Sequence, residues 1–119
     1  MIFVVDDDPS MRKSLSILLD NRGYRNETYA TAEALLSIFA TFPRRSGCLV
    51  LDIHLTGMSG LELAGRLSRA GNPPPVIFIT GNGGDRERQA AQQLNCVAYL
   101  EKPFSAASLF DAIDRALTN

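Results

Sequence analysis

The chain carries no surplus of positive charge. Its 12 Lys and Arg residues are matched by 13 Asp and Glu residues, which leaves a net charge of −1 at pH 7. A protein that binds nucleic acid directly usually presents a clustered basic surface to the phosphates. We therefore expect no direct contact between this chain and nucleic acid.

Long apolar runs are also missing. The 119 residues contain no stretch near the ~20 consecutive apolar residues that a helix needs to span a bilayer. Met1 leads directly into the apolar segment Ile2–Val5, without the basic segment and cleavage site of a signal peptide. We expect no membrane contact and a cytoplasmic location.

Cysteine and histidine are scarce. Cys48 and Cys96 lie in or beside apolar segments and show no metal-type spacing, and His54 is the only histidine. This pattern favours two buried, reduced thiols in a reducing compartment. It disfavours a zinc site that includes His54, because neither cysteine is its neighbour in sequence.

Apolar strand-like segments alternate with helical ones along the chain. Hydrophobic residues make up 45% of the sequence and charged residues 21%, as is usual for a globular protein. The predicted strands are 2–5, 25–29, 48–52, 76–80 and 97–100, and the predicted helices begin after Asp8, Thr31, Ser59, 85 and Ser105. This alternation with short connections predicts one domain, a parallel sheet between two helical layers.

Polar residues follow the predicted strands where each one ends. They are Asp6, Asp7, Asp52, Thr80 and Lys102. Because parallel strands end at the same edge of a sheet, we expect these side chains to gather there. Clustered carboxylates suit Mg²⁺ or Mn²⁺, and an added ammonium and hydroxyl complement a phosphoryl group in transfer.

Asp52 is the residue in this group that we interpret as the nucleophile. It ends a continuous apolar segment, where Asp is unfavourable, and a carboxylate there can form an aspartyl phosphate. Each residue also has an ordinary interpretation: acids cap helices, and a lone Lys or Thr is common at a strand end. The coincidence of all of them at strand ends favours the joint site.

Four segments of the chain resemble one known family. They are Val4–Arg12 (VVDDDPSMR), Leu51–Asp52 with Gly57–Leu63 (GMSGLEL), Ile79–Gly81 (ITG) and Leu100–Phe104 (LEKPF). In this order and spacing, the chain resembles the receiver domain of two-component response regulators, most similar to the FixJ-type subgroup. The resemblance covers 1–119 and implies a flavodoxin-like (βα)5 fold, an α/β/α sandwich with a parallel five-stranded sheet of order 2-1-3-4-5.

The resemblance also implies roles for individual residues. Asp52 resembles the phosphoacceptor, and Lys102 the cation that pairs with the phosphoryl oxygens. The implied Mg²⁺ ligands, with Mn²⁺ as a substitute metal, are Asp6, Asp7, Asp52 and the backbone carbonyl of His54. Further implied roles are a switch hydroxyl at Thr80, a switch aromatic at Tyr99, control of phosphoryl lifetime at His54 and Asn82, and a cis bond between Lys102 and Pro103.

The function implied by the resemblance is transfer of a phosphoryl group from a sensor histidine kinase to Asp52. This transfer would switch the face formed by helix 86–94, strand 97–100 and helix 105–118. Relatives are not enzymes beyond their own phosphorylation and dephosphorylation. They often continue into a C-terminal DNA-binding output domain, here outside this chain. For this chain we expect a homodimer that forms on phosphorylation through the face of residues 86–118.

Three alternatives stay open from the sequence. One is a pseudo-receiver that binds partners without being phosphorylated. The second is a phosphatase of the haloacid dehalogenase type, which would need Asp where His54 stands, two residues after its nucleophile. The third is a flavodoxin-type cofactor binder, which would need a Ser, Thr and Gly phosphate loop in place of Asp6–Asp8. The chain also departs from most receivers at Thr56, where they carry Pro.

Overall fold

The computed structural model describes residues 1–41, 47–71, 73–81 and 83–118. Strands and helices alternate along the chain as β1 (Ile2–Val5), α1 (Pro9–Asn21), β2 (Asn26–Tyr29), α2 (Ala32–Thr41), β3 (Cys48–Asp52), α3 (Gly60–Arg69), β4 (Val76–Thr80), α4 (Asp85–Gln92), β5 (Cys96–Glu101) and α5 (Ala106–Thr118). The strands form one sheet of order β2-β1-β3-β4-β5, and all neighbouring pairs are parallel. The predicted fold class and strand order are confirmed.

The strand register brings the polar strand ends to one edge of the sheet. Val5 pairs with Leu51, so the residues that follow β1 lie beside the end of β3. Asp52 pairs with Ile79, and Thr80 pairs with Glu101. The carboxyl ends of β1, β3, β4 and β5 therefore border one another.

Successive residues of each buried strand pack into two separate cores. In β1, Phe3 and Val5 face the core beneath α2, α3 and α4, whereas Ile2 and Val4 face the core beneath α1 and α5. β3 and β4 are buried along their whole length. Burial on both faces explains why these strands are continuous apolar runs in the sequence.

Side chains just before the helices satisfy their first free N–H groups. The Ser10 N–H donates to Asp8 at 2.9 Å, and the Glu62 N–H donates to the Ser59 hydroxyl at 3.1 Å. Equivalent caps form at Thr31 and Ser105. These four predicted helix starts are confirmed, and each cap contributes roughly 1 kcal/mol.

Helix α4 is shorter than predicted and weakly anchored. It ends at Gln92, not at residue 94, and the structure describes all eight of its residues, among which only Ala91 is buried. Ala90 is exposed. After the helix, Asn95 adopts a left-handed conformation with φ of 59° and leads into β5.

The two thiols lie in different environments. Cys48 is fully buried in β3, and this burial raises its pKa to about 12. Cys96 is half-buried at the start of β5, and its Sγ donates to the Ala98 carbonyl at 3.2 Å. The expectation of two buried thiols is correct for Cys48 and wrong for Cys96.

In the part of the chain that the structure describes, each helix is too short or too polar to cross a bilayer.

Candidate functional site

One ammonium group joins the ends of β1 and β3 to the residue that follows β5. Lys102 Nζ lies 3.2 Å from Asp6 Oδ2 and 3.1 Å from Asp52 Oδ2. Asp6 is 96 residues away in sequence and Asp52 is 50 residues away. The structure thus brings together three residues that the strand-end pattern had placed at one edge.

Asp6 is fully buried, which is costly for a carboxylate. Burial raises its pKa, while the Asp8 N–H bonded to Oδ1 at 2.9 Å and the charge of Lys102 oppose the increase. The nearby Asp52 carboxylate adds to it. On the backbone side, Arg12 Nη1 donates to the Asp6 carbonyl at 2.8 Å, which ties α1 to the end of β1.

Lys102 stays an ammonium at neutral pH because its partners outweigh its burial. Burial alone would lower the pKa of Lys102, but the hydrogen bond and charge of Asp52, together with Asp6, raise it overall. The side chain of Lys102 is 23% exposed, against 0% for Asp6 and 6% for Asp52. The positive charge is therefore held at the mouth of a buried acidic pair.

Asp7 completes a cluster of three carboxylates. Oxygen atoms of Asp6, Asp7 and Asp52 all lie within 4.8 Å of one another, with Asp7 exposed to solvent. The Thr56 hydroxyl donates to Asp7 Oδ2 at 3.2 Å and so restrains that carboxylate. Three carboxylates facing one ammonium leave a surplus of negative charge and offer hard oxygen ligands, which fits a divalent cation such as Mg²⁺.

His54 contacts the acceptor carboxylate through its backbone and α4 through its ring. Its N–H donates to Asp52 Oδ1 at 3.0 Å. Its Nε2 lies 3.1 Å from Oε2 of Glu87, whose other oxygen accepts the Gly84 N–H at the start of α4. The loop after β3 is thereby connected to the first turn of α4.

Thr80 and Tyr99 lie side by side next to this edge. Thr80 is fully buried at the end of β4, and its carbonyl accepts the Lys102 N–H at 2.7 Å. The Tyr99 hydroxyl oxygen is buried, and burial raises the pKa of Tyr99. A Cβ on Gly83 would collide with that oxygen and would lie 2.9 Å from Thr80 Cγ2.

The Lys102–Pro103 peptide bond is cis in the structure. Asn82, for which the resemblance implied a role in phosphoryl lifetime, lies outside the described residues.

Sequence reasoning missed several contacts of the site. Thr56 was noted only as a departure from the family pattern, and the chain gave no signal that it bonds Asp7. The partners of His54 and Tyr99 on α4, Glu87 and Arg88, look like ordinary solvated charges in the sequence. Their contacts depend on how α4 sits on the sheet, which hydrophobic periodicity does not specify.

Comparison with known proteins agrees with this geometry. A family model of the response regulator receiver domain matches residues 2–114. Nodulation protein W of Bradyrhizobium diazoefficiens is 39% identical over 113 residues, which cover 95% of this chain and 49% of that protein. Transcriptional regulatory protein FixJ of the same organism is 37% identical over 117 residues, which cover 98% of this chain and 56% of that protein.

The chain thus spans about half the length of these two relatives. Among solved structures, the crystal structure of FixJ-N is 36% identical, with a TM-score of 0.89 and coverage of 99% of this chain and 93% of that one. The resemblance to the FixJ-type subgroup is confirmed.

Proposed function

The chain belongs to the family of response regulator receiver domains, and on that premise we propose that Asp52 accepts a phosphoryl group from a phosphohistidine of a sensor histidine kinase. The observation that carries this proposal is the position of Lys102, whose ammonium bonds Asp6 and Asp52 at 3.2 and 3.1 Å. An ammonium beside a carboxylate at this acidic edge favours a role for that carboxylate in phosphoryl transfer over a role as a helix cap.

In the proposed reaction, a carboxylate oxygen of Asp52 attacks the phosphorus atom in line with the bond to the donor imidazole. The new O–P bond forms as the P–N bond breaks, and the electron pair of that bond stays on the nitrogen, which takes up a proton. The His54 N–H holds Asp52 Oδ1, so the acceptor is oriented before transfer. Lys102 supplies positive charge next to the other oxygen, Oδ2, where it can pair with the oxygens of the incoming phosphoryl group.

Asp6, Asp7, Asp52 and the backbone carbonyl of His54 would hold Mg²⁺, with Mn²⁺ as a substitute. When bound, the ion supplies charge neutralisation for the oxygens of the transferred phosphoryl group. Asp7 is exposed and is the direct ligand in this proposal. Asp6 is bonded to Lys102 and to the Asp8 N–H, and it acts largely through water.

The proposed switch consists of Thr80 and Tyr99. Thr80 moves toward the new phosphoryl oxygens, and Tyr99 fills the space that Thr80 leaves. The face formed by α4, β5 and α5 repacks as a result, so a local change of charge selects between two arrangements of one surface. Side chains at His54 and Asn82 set how long the phosphoryl group survives by controlling access to it.

The proposed biological setting follows from the relatives. FixJ is described as a transcriptional regulatory protein, and the chain spans only about half of it. We therefore propose that residues 1–119 act as one receiver unit whose target is a DNA-binding output domain outside this chain, in the cytoplasm. Phosphorylation would favour a homodimer, while nucleic acid and membrane would make no direct contact. The domain would catalyse only its own phosphorylation and dephosphorylation.

The test is the intact mass of the protein after incubation with acetyl phosphate and Mg²⁺. We expect one added phosphoryl group that disappears with EDTA, with hydroxylamine, and in Asp52→Asn. Asp111→Asn, which removes an exposed carboxylate on α5, is the matched control and should be modified like the wild type. The absence of an adduct on the wild type would instead favour the pseudo-receiver alternative.

A further inference from the structure

Among the glycines that the structure describes, Gly83 is the one at which an added methyl group would reach the Tyr99 hydroxyl. A Cβ built on it would collide with the hydroxyl oxygen and would lie 3.2 Å from Tyr99 Cζ and 2.9 Å from Thr80 Cγ2. Its φ lies outside the left-handed region, so the backbone there does not require glycine. The absence of a side chain at Gly83 therefore matters because it leaves space for the Tyr99 hydroxyl, and not because the backbone needs the φ range of glycine.

Helix α4 covers the Tyr99 ring through Arg88. The guanidinium carbon of Arg88 lies 4.8 Å from the ring centroid, and Arg88 Nη2 also bonds Glu101 at 2.9 Å. Because α4 buries only Ala91 among its eight described residues, this contact is a substantial part of its attachment to β5. Tyr99 thus borders Gly83 through its hydroxyl and contacts a cation on α4 through its ring.

We propose that Gly83 is the positioning residue that lets Tyr99 occupy its inward place, and that Arg88 transmits the loss of that place to α4. The inference rests on the proposed function in one respect, the role of Tyr99 as the switch aromatic. Gly83 provides the volume that the hydroxyl fills when the ring is inward. A side chain at 83 shifts the balance toward the outward position and so opposes the inward movement of Tyr99 in the proposed switch.

The surroundings decide how the collision with a methyl group is relieved. Thr80 is fully buried at the end of the interior strand β4, so a retreat from Gly83 would displace packed neighbours. Tyr99 is half-buried on the edge strand β5 and can rotate about χ1 toward solvent. Rotation of Tyr99 removes its ring from Arg88, which keeps only Glu101, and α4 loses one of its attachments.

The experiment compares Gly83→Ala with Gly84→Ala in the metal-free, unphosphorylated protein. Both changes add one methyl group to adjacent glycines, but a Cβ at Gly84 has nothing within 4 Å. NMR should show contacts between the Tyr99 ring protons and the Thr80 methyl group in the wild type and in Gly84→Ala. These contacts should be lost in Gly83→Ala, and amide exchange in α4 should accelerate by roughly 2- to 5-fold, as expected for loss of one partly exposed cation–π contact.

A second variant separates steric displacement from general damage. Gly83→Ala combined with Tyr99→Phe removes the colliding oxygen and leaves the 3.2 Å approach to Cζ and the 2.9 Å approach to Thr80 Cγ2. The ring should return to its inward place, and exchange in α4 should slow toward the wild-type rate. Persistence of the Tyr99–Thr80 contacts in Gly83→Ala, or failure of the double variant to restore protection, would overturn the inference.

The outcome is independent of the phosphoacceptor test. If acetyl phosphate modifies Asp52 but Tyr99 stays inward in Gly83→Ala, the proposed function stands and the role of Gly83 is refuted. If Tyr99 moves outward in Gly83→Ala while wild-type Asp52 takes no phosphoryl group, the role of Gly83 is supported and the phosphoacceptor proposal fails.

Discussion

Replacement of Lys102 by Met tests the electrostatics of the site most directly. The change keeps the length and the apolar stem of the side chain but removes the ammonium that bonds Asp6 and Asp52. Both acids are buried, with side-chain exposures of 0% and 6%. In the absence of a metal ion, the variant leaves two adjacent carboxylates without a counter-charge.

The size of the effect follows from this burial. Removal of one partner from a buried ion pair costs about 3–5 kcal/mol, because the remaining charge is stranded. Lys102 itself is 23% exposed, so water reaches the pair from one side and the lower end applies, ~3 kcal/mol. For a domain of this length, that loss corresponds to a fall in Tm of roughly 10 °C.

The assay is urea unfolding at pH 7 followed by far-UV circular dichroism, with EDTA and then with Mg²⁺. Lys13→Met is the matched control, since Lys13 is exposed on α1 and should cost less than about 0.5 kcal/mol. Mg²⁺ should reduce the difference in unfolding free energy between Lys102→Met and the wild type, because the variant has more uncompensated negative charge for the ion to neutralise.

The pH dependence has a definite sign. The pKa of Lys102 is raised in the folded protein, so its contribution to stability is complete below the ordinary value of 10.5. That contribution is lost as pH rises through the raised pKa. The difference in stability between the wild type and Lys102→Met should therefore decrease in that pH range. A loss of unfolding free energy in Lys102→Met below about 1 kcal/mol at pH 7 without metal, or a loss that Mg²⁺ leaves unchanged, would refute the electrostatic reasoning.

Three further predictions concern other parts of the site. Asp6→Asn should stabilise the metal-free protein at pH 7, because burial raises the pKa of this carboxyl; chemical unfolding should show that the gain in stability vanishes below pH 3.8, the ordinary pKa of the group. Thr56→Val should weaken Mg²⁺ binding by roughly 3- to 10-fold in isothermal titration, since Asp7 loses its restraint, and Thr56→Ser should restore it. Amides of α4 should exchange at least about 10-fold faster than those of α1, and equal protection would show that α4 is not weakly held.

The strands and the acidic edge were predictable from the sequence because their signals are local. Ile2–Val5 and Cys48–Asp52 are buried on both faces, so each is a continuous apolar run. Since parallel strands must end on the same side, Asp6 and Asp52 were expected at one edge. The helix caps at Asp8 and Ser59 were equally readable, because a cap depends on residues only two or three positions away.

The attachments of α4 were not predictable in this way. Its sequence shows that few apolar residues are present, but not that Glu87 reaches His54 or that Arg88 covers Tyr99. These contacts join residues far apart in the chain, and long charged side chains have many rotamers to choose from. The role proposed for Gly83 could not be predicted from the sequence either. A glycine after a strand normally indicates a turn, and nothing in the sequence shows that the Tyr99 side chain lies against it.

The unequal burial of the two thiols gives the chain a pair of built-in reporters. Cys48 lies at the centre of the sheet with its pKa raised to about 12, so alkylating reagents reach a reactive thiolate only when the whole domain unfolds. Cys96 begins the edge strand that α4 covers, and it is already half-exposed. Its modification rate in the folded protein therefore reports how exposed that edge is, while Cys48 in the same molecule reports global unfolding.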